Sequence, residues 1–347
     1  MLNGSWSSAA PGEGADALPA LPPATPVRHE FVPAAPTRQR VAIVVAGMHR
    51  SGTSLLARVL TALGAHLPED RIGPGAGNPF GHWEPRNVVA LNNRILAACD
   101  RQPIDPRPMP AGWVAAARRD GAVRAISERV AQDYGGAAVL LLKDPRLCRL
   151  LPLYGEALAR LDIEMRVILC LRHPMEVAQS LVARDGLSPG MAALAWLRHV
   201  LEAEANSRGC RRAWVGYPDL VADCEGTMGV TGRRLGFPWR AGIEWNSLYI
   251  RMLVQPEQRH WTALQEEVAW PEQPFLQDVW NAARSAAAAG NADDAALWDD
   301  CRRRLHEFDV YNSHYDEHIR AFYTSSSWRA TAPLRFLGHV RNRLLRR

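Results

Sequence analysis

The segment Gly47-Met48-His49-Arg50-Ser51-Gly52-Thr53-Ser54 gathers groups that bind an anion. Its glycines have the GxxxxG spacing of loops that wrap backbone N–H groups around a phosphate at the start of a helix. Arg50, Ser51, Thr53 and Ser54 add converging donors. A nucleoside triphosphatase of this kind needs a lysine directly after the second glycine, to reach the β- and γ-phosphates. Thr53 holds that place and the cation stands upstream as Arg50, so kinase chemistry lacks a principal charge clamp. A second anion site is Arg172 with Ser180, eight residues on. A guanidinium fork and a hydroxyl suit a phosphate if a helix folds the serine back over the arginine. The third group is Lys143. Of the 41 basic residues it is the only lysine, and a compact ammonium is not interchangeable with a planar guanidinium.

These groups need elements that bring them together. Val41 begins a short β-branched run, VAIVVAG, which predicts a buried parallel strand. Leu55, Leu56, Val59, Leu60 and Leu63 then recur at helical spacing up to Gly64. Gly73 to Gly81 reads as an irregular loop, Pro85 to Ala98 as a helix with proline in its first turn, and Arg118 to Asp133 as a further helix. AVLLL from Ala138 and MRVILCL from Met165 predict two more strands, which lead into Lys143-Asp144-Pro145 and Arg172-His173-Pro174. Glu176 to Ala183 and Met191 to Ser207 follow as helices, and Arg212 to Gly216 as a fourth strand ending at Tyr217. Strands alternating with helices imply an α/β fold: a P-loop-like, three-layer arrangement around a parallel sheet of about four to five strands, with a helical C-terminal part. Arg50, Lys143, Arg172 and Tyr217 all fall at C-terminal strand ends, the edge where such sheets bind ligands.

Composition excludes several classes. The longest apolar runs fall far short of the roughly 18 residues that span a bilayer, and no signal-peptide pattern opens the chain, so a cytoplasmic protein is expected. The net charge is +5, but the last twenty residues carry six arginines and no acid, so the preceding 327 sum to −1. A body of that charge is not a nucleic-acid binder. Six scattered cysteines without a CxxC read as reduced thiols. Residues 1–38, with seven prolines, read as a disordered arm, 39–325 as the folded domain and 326–347 as a basic tail.

Taken together, the motifs resemble the sulfotransferases that use 3′-phosphoadenosine 5′-phosphosulfate (PAPS). The resemblance rests on His49-Arg50-Ser51-Gly52-Thr53-Ser54, on LCLRHPMEVAQS with Arg172 and Ser180, and on Tyr217 in VGYPDL, over about residues 40 to 240. GHWEPRN from Gly81 and LLKDPR from Leu141 resemble the bacterial and tyrosylprotein-type branches. It implies that Arg50 neutralises charge on the bridging oxygen and that the loop from His49 to Ser54 holds the 5′-phosphosulfate. Arg172 and Ser180 would bind the 3′-phosphate, Tyr217 would lie on the adenosine side, and Lys143 would match a transition-state lysine. Glu84 is the candidate base, with His82 as the alternative. Glu84 also reads as an ordinary acid at the start of the helix from Pro85. The family's C-terminal RKxG-type element has no counterpart here beyond Arg233 and Arg234.

No metal is expected. His82-Trp83-Glu84 lacks the P-C-x-x-C that zinc deaminases require. His314 to His318 fits H-x-x-E-H but lies in a polar, acid-rich stretch that reads as a solvated helix face. Seven tryptophans between Trp239 and Trp328 offer faces for sugar stacking or for a core. SSSWRATAPLR from Ser325 is similar to the ends of bacterial surface-glycan transferases, and the leucines and arginines beyond it could form a basic amphipathic helix on an anionic membrane. The expected acceptor is therefore a hydroxyl of a saccharide or glycolipid at the cytoplasmic membrane face. The rivals are a P-loop kinase and a non-catalytic protein that binds a nucleotide or glycan.

Overall fold

Four strands form one parallel sheet: β1 (Arg40–Ala46), β2 (Val139–Lys143), β3 (Ile163–Leu171) and β4 (Arg211–Gly216), in the order β2-β1-β3-β4. The computed structural model describes residues 39–75, 78, 80–237, 274–289 and 295–324, without the side chains of 274, 275, 289 and 312–324. All of these belong to one unit, Phe31–Arg347. Register places Val45 beside Lys143, Ala46 beside Leu169, and Leu171 beside Gly216, so the C-terminal ends form one edge. The chain passes from β1 to β2 on one side and returns across β1 to β3 on the other. That reversal leaves a crevice at the edge.

The apolar run of β1 is continuous because both faces are covered. Val41, Ile43 and Val45 pack toward α1 (Thr53–Ala62), α8 (Tyr217–Ala222) and α9 (Cys224–Arg234). Ala42, Val44 and Ala46 pack toward the opposite layer. That layer includes α2 (Arg86–Ala98), α3 (Trp113–Arg119), α4 (Ala122–Tyr134), α5 (Leu147–Ala159), α6 (Pro174–Asp185) and α7 (Pro189–Asn206). The result is the three-layer α/β architecture the sequence pattern implies.

The helices differ from the sequence reading at several places, α8 and α9 among them, for which the pattern predicts no helix. The helix expected from Arg118 to Asp133 is two, because Gly121 takes φ 81° and restarts the chain at α4. α5, with Pro152 inside it, is not foreseen by the pattern. Proline cannot donate to the carbonyl of Cys148, four residues back. The side chain of Asn206 does so instead, at 3.0 Å.

In the C-terminal part, α10 (Pro274–Ala289) adds Leu276, Val279, Ala283 and Ala286 to the core. α11 (Ala295–Thr324) stacks Trp298 on Trp214 of β4, with centroids 5.3 Å apart and planes 5° from parallel. Arg302 of α11 reaches the fully buried Glu204 of α7. Trp298 is thus a core residue. The arm 1–38, the tail 326–347 and Trp239, Trp245, Trp261, Trp270 and Trp328 lie outside the described residues, as do the side chains of His314 to His318. No described helix is long and apolar enough to cross a membrane.

Candidate active site

The phosphate loop is shaped by close packing at its glycines. Gly47 passes so near β3 that a Cβ would lie 2.7 Å from the Cys170 carbonyl. Arg50 at φ 70° and Gly52 at φ 87° turn the chain into α1. A Cβ on Gly52 would run into the Tyr217 ring. The first turn of α1 has no capping side chain, so its N–H groups remain for a ligand. Thr53 and Ser54 line an open cleft at this edge of the sheet. Ser51 is buried beneath the loop, where its carbonyl accepts from the Cys170 thiol at 3.1 Å.

Arg172 and Ser180 do come together with the loop. Ser180 accepts from Arg50 Nε at 2.7 Å, and Arg172 Nη1 donates to the Arg50 carbonyl at 3.2 Å. Arg172 Nε pairs with Glu176, four residues on, at 2.7 Å. Its guanidinium lies 4.7 Å above the Tyr217 ring, so Tyr217 sits between Gly52 and Arg172. Burial, with the charges of Arg184 and Arg172, lowers the pKa of Arg50 from its ordinary value.

Lys143 ends β2 and is almost wholly buried. Its Nζ donates to Glu84 Oε1 at 2.6 Å, to the His82 carbonyl at 2.7 Å and to Ser54 Oγ at 3.3 Å. Glu84 reaches it because the loop before α2 is pinned. Ile72 N–H donates to the Glu84 carbonyl and His82 N–H to the Ile72 carbonyl. Trp83 takes φ 58°, a costly conformation for a bulky residue. Its indole N–H donates to the Phe80 carbonyl at 2.7 Å, and the Arg71 guanidinium covers its ring at 4.4 Å. Glu84 does not cap α2, whose N-cap is Pro85 with no side-chain bond. Its carboxylate lines the cleft, one residue before the N-cap of α2.

Burial shifts both His49 and His82 toward the neutral form. Burial lowers the pKa of His82, against the opposing charge of Glu84. Burial and neighbouring cations hold His49 well below its ordinary value, and its Nε2 is buried with no hydrogen-bond partner.

The edge of the sheet thus unites an anion loop, two phosphate-type cations and a buried ammonium–carboxylate pair. Such a site can hold a polyanion, stabilise charge on a transferring group and accept a proton. Sequence reasoning passed over Arg184, which lines the same cleft one helical turn beyond Ser180. It also passed over Glu176, Asp144 and Arg146. A spacing of four from Arg172 and from Ser180 could have flagged Glu176 and Arg184. Arg233 and Arg234 lie on α9, where Arg234 donates to the Ala287 carbonyl at 3.0 Å. None of the described residues groups three metal-ligating side chains.

A family model described as the sulfotransferase family matches residues 42–241, more than half of the chain. Two solved structures are similar. One is the sulfotransferase domain from the olefin synthase of Synechococcus PCC 7002, 19% identical with a TM-score of 0.36, covering 65% of this chain and 88% of that one. The other is the sulfotransferase domain from the curacin biosynthetic pathway, 14% identical with a TM-score of 0.36, covering 58% and 75%. No curated protein matches.

Proposed function

The chain belongs to the sulfotransferase family, and on that premise we propose that it moves the sulfuryl group of PAPS to an acceptor hydroxyl. One observation carries the reading: Arg50, Lys143, Glu84 and Arg172 come from four separate segments and line a single cleft. The fit to a bisphosphate donor rests on the glycine-cradled loop with its uncapped helix start and on the Arg50–Ser180–Arg172 cluster. The loop from His49 to Ser54 holds the 5′-phosphosulfate, Arg172 and Ser180 take the 3′-phosphate, and Tyr217 lies on the adenosine side.

In this reading the acceptor oxygen bonds to sulfur as the bond from sulfur to the bridging phosphate oxygen breaks. The bisphosphate leaves with that electron pair, and Glu84 takes the hydroxyl proton. Arg50 offsets charge on the leaving oxygen, and Lys143 offsets charge on the sulfuryl oxygens. Catalysis is then mainly positioning and electrostatic stabilisation. Glu84 is preferred to His82 as the base because its carboxylate is bonded to the same ammonium that serves the sulfuryl group. The His82 ring makes no such bond to Lys143, which takes its backbone carbonyl instead.

The acceptor is proposed to be a saccharide or glycolipid hydroxyl at the cytoplasmic membrane face. That part is supported by the sequence of the tail alone. Deleting residues 328–347 should abolish binding to anionic liposomes, and unchanged binding overturns it. The donor assignment is tested by thermal shift with adenosine 3′,5′-bisphosphate, ADP and ATP. A ligand at about 100 times its Kd raises stability by about 2.7 kcal/mol. Stabilisation by the bisphosphate alone supports the reading, and a preference for ATP replaces it with a nucleotide kinase.

A further inference from the structure

Lys143 has three N–H donors, and all three are engaged within the protein, by Glu84, the His82 carbonyl and Ser54. To meet sulfuryl oxygens it must release at least one of them. The lone pair of Glu84 Oε1 that meets the Lys143 ammonium at 2.6 Å is not open to a hydroxyl proton while that contact lasts. Glu84 is therefore the partner whose release serves the reaction. Once released, it would be a charged group 5% exposed, and a buried charge without a partner takes up a proton instead.

A second cation stands ready. Arg146 Nη1 lies 3.8 Å from Glu84 Oε2. That is near enough to act through charge, and too far to occupy a lone pair as a hydrogen bond does. The guanidinium is fixed on its other sides. Its Nε donates to Asn93 Oδ1 at 2.5 Å and its Nη1 to Asp144 Oδ1 at 2.7 Å. Asp144 accepts in turn from Asn92 at 2.8 Å and from the Arg146 N–H at 3.0 Å. Asn92 accepts from the Tyr154 hydroxyl at 2.8 Å. Asp144 and Asn92 are fully buried. A satisfied buried network of this kind gives one geometry rather than many.

We propose that Arg146 is a positioning residue: it keeps Glu84 charged and aimed while Lys143 turns from Glu84 to the donor. The proposal rests on the reading above, in which Glu84 takes the acceptor's proton. The other charged and titratable groups at this end of the cleft are Lys143 and Asp144 beside Arg146, Arg50 and His49 from the phosphate loop, Arg184 from α6, and His82 beside Glu84.

The test uses the full chain with water as acceptor. It follows release of labelled sulfate from PAPS against pH, together with the Kd of adenosine 3′,5′-bisphosphate by calorimetry. Arg146→Gln should lower the rate at neutral pH roughly tenfold and move its acid-side decline roughly one pH unit upward, because a cation near the carboxylate is lost. The bisphosphate Kd should stay within about twofold. Arg146→Lys should return the decline to its original pH without restoring the full rate, because a single ammonium does not reproduce the planar fork. If Arg146→Gln does not fold, Asn93→Ala should shift the decline in the same direction by less. An unmoved decline overturns the proposal, and so does a loss of rate matched by an equal loss of bisphosphate affinity. If the wild-type chain neither releases sulfate nor binds the bisphosphate, the sulfotransfer reading itself fails and the proposal falls with it.

Discussion

The two ends of the cleft hold their cations by different means. Arg172 pairs with Glu176, four residues along the same helix start. Lys143 pairs with Glu84, 59 positions away in sequence. The first pair spans only the turn from β3 into α6, with Arg172 just before the N-cap His173 and Glu176 in the first helical turn. The second exists only when the loop before α2 is folded against β2 and α1. The ion pair of the donor end is thus local in the chain, although the Arg50–Ser180 and Arg172–Arg50 bonds tie that end together across 130 and 122 positions. The ion pair of the transfer end, in contrast, itself depends on tertiary packing and on a strained backbone at Trp83. In the proposed mechanism this separates binding from chemistry, so the two ends should fail differently.

The largest effect is expected at the transfer end. Glu84→Gln keeps the shape and removes the base, and should cost roughly 10²–10⁴ in transfer rate. The bisphosphate Kd should hardly move; a matching loss of affinity would break the separation of the two ends. Lys143→Ala should follow with roughly 10²–10³ in rate. It should also lower Tm, because Glu84 is left buried with a weaker partner. A variant with near-full turnover would remove Lys143 from the mechanism.

Arg172→Ala addresses the donor end. Loss of a charge-assisted contact should weaken the bisphosphate roughly 10–100-fold by calorimetry. Single-turnover rate at saturating donor should stay close to wild type. If the rate collapses while binding persists, the contrast between the ends is wrong.

Smaller effects sharpen the account of the transfer end. His82→Gln should change the rate by less than about tenfold, since Lys143 uses the His82 carbonyl and not its ring. A loss equal to that of Glu84→Gln would move the base to His82. Trp83→Gly should change the rate least. Glycine accepts φ 58° without steric cost, and what is lost is one indole hydrogen bond, one stacked guanidinium and the packing of the ring against the core. Far-ultraviolet dichroism and turnover together check whether backbone shape alone aims Glu84.

Much of the fold was legible because its signals are local. Strands buried on two faces are continuous apolar runs, and β1 to β4 lie where such runs occur. The phosphate loop was legible for the same reason: two glycines, a strand before and a helix after are all neighbours in sequence. α5 was not, because the fold supplies the bond that Pro152 cannot make, from Asn206 on another helix. The break at Gly121 was visible as a glycine but was overridden by the surrounding helical spacing. Arg146 and Asp144 were not legible as site residues, since nothing in KDPR shows that its arginine turns toward a glutamate that precedes α2.

The sequence by itself determined the residue types, the α/β order and the glycine-bounded loop between β1 and α1, because each follows from contacts within one turn or one strand. Only the tertiary structure decided that Glu84 faces the cleft rather than capping its helix, that the lone lysine is bound to it, and that Arg146 stands behind both. The reason is physical. A local element needs only neighbouring dihedrals and hydrogen bonds, whereas a buried ion pair between distant segments forms only when the intervening chain has packed and excluded water from it.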